Sequence, residues 1–147
     1  MKGKVHEDFV VLKGIEYDTC DGGHILCIMP EGVKMRLLEL RGLPVTALID
    51  FVHRHGGILG PAHPCGEKYL SFTNTKKYYK APEIMKRFDF IEAFNACESE
   101  ESNECAMKLA KKYKSRESDD VQLRTSEHRS MYSYVRLSID RCTATYV

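Results

Sequence analysis

Three residues in the first half of the chain could together bind a metal ion. Glu16 follows a first apolar segment, His24 opens a second and His63 ends a third. In α/β folds the loops at the C-terminal ends of strands converge, so residues there face the site. A carboxylate and two imidazoles favour Zn²⁺, Mn²⁺ or Fe²⁺ over Ca²⁺. The alternative is an ion-paired glutamate, a histidine in a turn and a buried, hydrogen-bonded histidine.

Two further histidines, His53 and His55, are separated only by Arg54. Positions two apart on a helix point about 200° away from each other, so these imidazoles cannot meet one ion. We therefore interpret them as residues that suit the negative C-terminal end of a helix.

The six cysteines form no C-x-x-C pair of the kind found in zinc ribbons and fingers; they are Cys20, Cys27, Cys65, Cys97, Cys105 and Cys142. Residues 1–8 are polar and charged, unlike the apolar core of a secretory signal. These features favour a cytoplasmic protein with free thiols. A net charge of +1 does not indicate a nucleic-acid partner, and no apolar run reaches the roughly 18 residues that span a membrane.

Apolar periodicity along the chain predicts strands that alternate with helices. The clearest helix has an apolar stripe at i, i+3, i+4 and i+7, formed by Val45, Leu48, Ile49 and Val52. The first half is predicted to contain a strand that starts at Phe9 and ends near Gly14, a turn at 18–23, a strand at 24–29, that helix up to Gly56 and a strand at 58–62. The second half is predicted to contain a loop at 65–80, a short helix at 82–87, a strand at 88–94, and a helix from Ser99 or Ser102 to about Tyr113. Such alternation is typical of a parallel sheet or barrel with helices outside.

The predicted loop contains a run of lysines and tyrosines at 76–80. One interpretation is a solvated loop. The other is a segment that grips a phosphate chain or stacks a base, which is the one indication of a nucleic-acid partner.

The last part of the chain differs in composition from the rest. Residues 1–114 hold 13 Lys, 4 Arg and 3 Ser, whereas residues 115–147 hold no Lys, 5 Arg and 6 Ser. No glycine follows Gly66 and no proline follows Pro82. We therefore divide the chain into a main domain at 1–114 and a tail at 115–147, which either divergence or a frameshift in the gene would produce.

Four short motifs follow one another within residues 9–114. They are Gly14-Ile15-Glu16, Gly23-His24-Ile25-Leu26, the segment 56–64 that ends in Ala-His-Pro, and the segment 90–96 that contains Ile91-Glu92 and Asn95. Together they resemble the later motifs of the PHP (polymerase and histidinol phosphatase) family of metal-dependent phosphoesterases. The resemblance implies an α/β fold, namely a partial distorted (β/α)₇ barrel of PHP type with the atypical tail attached.

The same resemblance implies functions for three residues. Glu16 would bridge metal ions, while His24 and His63 would each bind one. The implied cofactors are two or three divalent ions (Zn, Mn or Fe), and a metal-bound hydroxide would attack phosphorus. The implied partner is a phosphorylated small molecule or a nucleotide.

The chain departs from the family pattern at both ends. The family opens with H-x-H and D-H motifs, but only 15 residues precede Glu16 and His6 stands alone. It closes with S-D-x-H, where this chain has Val121 after Ser118-Asp119-Asp120. With at least four ligands missing, we expect weak metal binding.

Two hypotheses therefore stay open. The chain is a PHP-type phosphoesterase, or it is a non-catalytic remnant that has lost its metal site and binds a partner. Because a barrel cut to four or five strands leaves unpaired edges, the sequence also predicts self-association.

Overall fold

A three-stranded sheet positions the candidate residues. The computed structural model describes residues 14–30, 41–68 and 70–120, with side chains up to residue 113. Its strands are β1 (Gly14–Thr19), β2 (Gly23–Ile28) and β3 (Ile58–Pro61), and they lie in that order in the sheet. The strands predicted at 24–29 and 58–62 are thus confirmed. The strand predicted from Phe9 lies outside the described residues up to residue 13, but its predicted end near Gly14 is wrong, because β1 begins there and extends to Thr19, into the turn predicted at 18–23.

Both strand pairs are antiparallel, with Glu16 opposite Leu26 and Cys27 opposite Leu59. The parallel sheet expected from alternating elements is therefore wrong for these three strands. A tight turn joins β1 to β2, and a turn of this length can only connect antiparallel neighbours. The partial (β/α)₇ barrel of PHP type stays a prediction.

The turn between β1 and β2 also fixes the first helix. The Thr19 hydroxyl donates to the Gly23 carbonyl oxygen at 2.7 Å and accepts from the Gly22 N–H at 3.0 Å. Asp21 Oδ1 accepts from the Val45 N–H at 2.7 Å, which satisfies one of the unpaired donors at the start of a helix. Helix α1 (Val45–Arg54) is thereby attached to the hairpin.

The core lies between α1 and one face of the sheet. Alternate residues of β2 point to opposite faces, so Ile25 and Cys27 face the core and His24 faces away. The predicted stripe of α1 is confirmed as buried. The buried apolar cluster comprises Tyr17, Ile25, Cys27, Met29, Val45, Leu48, Ile49, Val52, Leu59, Phe72, Ile84, Met85, Phe88 and Leu109.

The second half is more helical than predicted. The expected loop at 65–80 contains a 3-10 helix at Phe72–Asn74 and the short helix α2 (Lys76–Lys80). The Thr75 hydroxyl caps α2 by accepting from the Tyr78 N–H at 3.2 Å. The loop prediction is wrong there because a helix of one turn has no apolar stripe to reveal it. The short helix at Pro82–Arg87 is confirmed as a 3-10 helix.

The segment predicted as a strand at 88–94 has no strand structure. It runs along β3, where Asp89 N–H donates to the Leu59 carbonyl oxygen and Leu59 N–H donates to Asp89 Oδ2, both at 2.9 Å. A side-chain carboxylate therefore occupies the position of a neighbouring strand's carbonyl. The strand prediction is wrong because Asp89 replaces the backbone ladder with its own side chain.

Helix α3 (Glu100–Asp120) completes the described residues. The Ser99 hydroxyl accepts from the Ser102 N–H at 3.2 Å, as one of the two predicted caps. The helix extends beyond Tyr113, and the rest of the tail, 121–147, lies outside the described residues. In the described parts of the chain no helix has the length and apolar character needed to cross a membrane.

A disulfide joins Cys65 to Cys105, with Cα atoms 6.1 Å apart. The expectation that all cysteines are free thiols is wrong for this pair, because the fold brings together residues separated by 40 positions. Cys20 and Cys97 are exposed free thiols and Cys27 is a buried one.

Candidate metal centre

The three residues predicted to bind metal lie in contact with one another. Glu16 Oε1 is 3.2 Å from both His24 Nδ1 and His63 Nε2, and these two nitrogens are 3.3 Å apart. Within the described ranges, no other group of three or more His, Cys, Asp or Glu side chains converges in this way. Three electron-pair donors at such distances repel one another unless a proton or a cation lies among them.

Two of the three donors come from one face of the β1–β2 hairpin. Asp18 is opposite His24 in the register, and Glu16 lies two positions before Asp18. Residues two apart on a strand share a face, so Glu16, Asp18 and His24 project from the side opposite the core. Asp18 Oδ1 lies 3.8 Å from His24 Nε2, on the side of the ring away from the other donors.

The third donor reaches this face because β3 ends in a turn. In a continued strand His63 would share the face of Pro61, which is paired with the core-facing Ile25. Instead His63 has a φ of 30°, the one positive value outside glycine in the described chain. Such conformations cost free energy and occur at functional sites. Here the turn brings the imidazole against Glu16 and His24.

A serine selects which nitrogen of the buried His63 ring donates a hydrogen bond; the side chain is 0% exposed. The Ser71 hydroxyl donates to the Gly66 carbonyl oxygen at 2.7 Å, so its oxygen accepts from His63 Nδ1–H at 3.1 Å. With the proton on Nδ1, the lone pair of Nε2 points towards Glu16 and His24. This is the arrangement that metal-binding histidines generally have, in which one nitrogen presents its lone pair and the other donates to an oxygen.

A second set of hydrogen bonds holds the His63 backbone. The His63 N–H donates to Glu92 Oε2, and the Asn95 side-chain amide lies 3.4 Å from the same oxygen. Asn103 accepts from the Asn95 N–H at 2.8 Å and donates to the Asn95 carbonyl oxygen at 3.0 Å. The chain of contacts therefore connects the metal centre to the first turn of α3.

The sequence analysis assigned no function to two of these supporting residues, and Glu92 entered it only as part of the motif at 90–96. Ser71 gave no signal, because a lone serine in a polar segment has no distinguishing pattern. Glu92 gave a usable signal. A carboxylate directly after the apolar Phe90-Ile91 pair needs a hydrogen-bond partner when that segment packs against a sheet.

The residues rejected as ligands have other partners. His53 Nε2 lies 2.9 Å from Asp89 Oδ2, while His55 Nδ1 lies 2.8 Å from the Phe51 carbonyl oxygen.

In the lysine-tyrosine run at 76–80, Lys77 forms an ion pair with Asp21 at 3.3 Å and Tyr79 is 74% exposed.

The donor set fits a divalent transition metal. One carboxylate oxygen and two imidazole nitrogens suit Zn²⁺, Mn²⁺ or Fe²⁺, and the partial exposure of Glu16 (28%) and His24 (27%) leaves a path from solvent. No protein-family model, curated protein or solved structure matches this chain.

Proposed function

We propose that Glu16, His24 and His63 bind a divalent metal ion, and that the chain is a PHP-type domain that hydrolyses phosphate esters. The convergence of the three donors within 3.3 Å of one another carries this proposal. The order of the four motifs supports the PHP assignment. The substrate class is a phosphorylated small molecule or a nucleotide, in the cytoplasm.

The number of ligands agrees with a catalytic site. Catalytic zinc sites commonly use three protein ligands and keep one position open, whereas structural sites are closed by four. Glu16, His24 and His63 would hold the ion, which would supply Lewis-acid activation of water and would offset the charge that develops on phosphoryl oxygens. We therefore expect substrate to approach from the exposed side, which Glu16 and His24 border.

The surrounding residues orient the ligands. Ser71 keeps the His63 proton on Nδ1, so that Nε2 presents its lone pair to the ion. His24 Nδ1 faces Glu16 Oε1 and His63 Nε2 and would be its ligand atom, while the exposed Asp18 carboxylate lies 3.8 Å from His24 Nε2. Glu92 holds the His63 backbone in the conformation that turns its ring to the site.

A non-catalytic remnant is the second candidate. The observation that favours it is that only three donors converge within the described ranges, whereas the family pattern has a larger set. Such a site would bind metal weakly without hydrolysing esters, and the domain would act by binding a partner.

The test combines metal analysis of the purified full chain with hydrolysis of p-nitrophenyl phosphate in Mn²⁺ or Zn²⁺. The proposal expects about one bound ion and turnover, both lost in Glu16→Gln and His63→Ala. The matched controls Glu67→Gln and His55→Ala, which change exposed residues outside the centre, should behave as the unmodified chain. Metal well below one equivalent together with no turnover would support the remnant and overturn the metal site, and a stoichiometric ion without turnover would overturn the catalysis alone.

A further inference from the structure

The loop that carries His63 is held to helix α3 by a covalent bond. Cys65 lies two positions after His63 and is bonded to Cys105 within α3. We propose that this disulfide is a redox-reversible clamp on residues 63–66, the His63 loop, which opens when the two cysteines are reduced. The site of modification is thus a cysteine pair, and its partner is a small thiol or disulfide.

The clamp acts in parallel with a second connection to the same helix. The hydrogen bonds from the His63 N–H through Glu92 and Asn95 also end at Asn103, two residues before Cys105. Reduction removes the covalent connection and leaves the hydrogen-bonded one. The loop then stays attached but gains freedom, which is the behaviour of a switch and not of an indispensable cross-link.

We expect the fold to persist when the disulfide is reduced. Neither Cys65 nor Cys105 belongs to the buried apolar cluster, which instead includes Leu109 one turn further along α3. Inside the loop, the Gly66 carbonyl oxygen accepts from Ser71 and from the Asn74 amide at 2.9 Å. These contacts keep the reduced protein folded.

The pair is accessible to a small reagent. Cys105 is exposed and Cys65 is half-buried. Thiol–disulfide exchange requires such access, and it is much faster at exposed sulfurs than at buried ones. Cys27 gives the contrast within the same chain, because burial raises the pKa of its thiol to about 12 and leaves it unreactive.

The exchange balances with glutathione disulfide as the oxidant. The Cys105 sulfur attacks one sulfur of glutathione disulfide, which breaks that S–S bond and releases one glutathione. The Cys65 sulfur then attacks Cys105 in the mixed disulfide and releases the second glutathione. Two protons and two electrons pass from the cysteines to the two glutathione thiols, and two molecules of glutathione reverse the process.

The expected effect of disulfide reduction on metal affinity rests on the proposed function. A ligand on a looser loop meets the other donors less often, so we expect reduction to weaken Mn²⁺ binding roughly tenfold, the usual effect of losing support around a ligand. Mn²⁺ is the suitable probe because it prefers oxygen and nitrogen over the thiols that reduction creates.

The experiment compares the full chain oxidised by glutathione disulfide with the chain reduced by a phosphine that is then removed. Alkylation and mass spectrometry identify the free thiols, and hydrogen exchange follows the backbone amides of His63, Cys65 and Gly66. The clamp predicts Cys65 and Cys105 protected only after oxidation, and faster loop exchange after reduction that reoxidation reverses. Cys105→Ser should exchange fast under both conditions, while the exposed Cys97→Ser should switch like the unmodified chain.

Equal exchange in the two states would overturn the clamp, and so would loss of far-ultraviolet circular dichroism on reduction. Faster exchange on reduction without Mn²⁺ binding in either state would support the clamp and overturn the metal site. Faster exchange together with weaker Mn²⁺ binding would support both.

Discussion

The backbone N–H of His63 donates a hydrogen bond to the carboxylate of Glu92. The donor belongs to the one non-glycine residue with positive φ in the described chain, and the acceptor belongs to the segment that runs along β3. The carboxylate therefore stabilises a backbone conformation that brings an imidazole to the candidate metal centre.

Replacing Glu92 should weaken metal binding without touching a ligand. In Glu92→Ala the His63 N–H loses its acceptor, and we expect Mn²⁺ or Zn²⁺ affinity to fall about tenfold by isothermal titration calorimetry. Glu92→Gln should fall as well, because its amide N–H₂ group would face the Asn95 amide. The control is the exposed Glu83→Ala. An affinity within twofold of the unmodified chain would refute this function of Glu92.

Ser71→Ala should reduce both metal affinity and stability. The substitution leaves His63 Nδ1–H without its acceptor inside the protein, at a cost of about 1–3 kcal/mol in the free energy of unfolding. It also frees the ring to place its proton on Nε2, which blocks metal binding. Thr75→Ala is the matched control, since it removes a buried hydroxyl that donates to the Phe72 carbonyl oxygen, outside residues 63–66, and touches no ligand. If both variants lose metal affinity equally, the tautomer account is wrong.

Gly23→Ala should destabilise the protein far more than Gly42→Ala. Both glycines have a φ close to 70°, so each substitution carries the cost of a left-handed alanine, about 1 kcal/mol. At Gly23 the new Cβ would also lie 2.1 Å from the Leu70 carbonyl oxygen, whereas at Gly42 nothing lies within 4 Å. We expect a further loss of about 2 kcal/mol or more at Gly23, measured by urea unfolding. Equal losses in the free energy of unfolding for the two variants would show that the backbone at Leu70 can move away from the new Cβ at little cost.

The buried thiol of Cys27 should make stability fall at high pH. Burial raises its pKa from 9.0 to about 12. Below pH 9.0 the Cys27 thiol is neutral in both the folded and the unfolded state, so its contribution to the free energy of unfolding is fully present. As the pH rises towards 12, the thiol of the unfolded chain ionises first, and this contribution is lost. The slope approaches about 1.4 kcal/mol per pH unit. Urea unfolding between pH 8 and 10 should show a decline that is smaller in Cys27→Ala, and parallel profiles would contradict it.

The elements that the sequence predicts well are those with a sustained apolar pattern. Helix α1 has a stripe of four apolar residues, and β2 has a continuous apolar run. Both elements could therefore be predicted from the pattern of apolar residues alone. The segment at 88–94 also has apolar residues, but Asp89 satisfies Leu59 through its side chain. The periodicity of apolar residues does not show whether a segment pairs with a neighbouring strand through its backbone or through a side chain.

The three candidate residues could be identified from the sequence, whereas the residues that support them could not. Glu16, His24 and His63 stand out by type and by position at the ends of apolar runs. The direction of the strands decides which faces they share, and an antiparallel hairpin places Glu16 and His24 together as readily as a barrel would. Contacts such as His63 to Ser71, and the pairing of Cys65 with Cys105, depend on the turn after β3, which no local pattern records.

The contact between Asp89 and Leu59 has a consequence for how copies of this chain meet. An unpaired strand edge is a template on which another polypeptide can add. On β3 the Leu59 N–H and carbonyl oxygen are already used by Asp89, and the Phe90 backbone lies so close to Gly60 that a Cβ there would be 2.2 Å from its oxygen. Addition of a second chain along β3 therefore requires the 89–90 segment to leave first, so this segment protects that edge against aggregation.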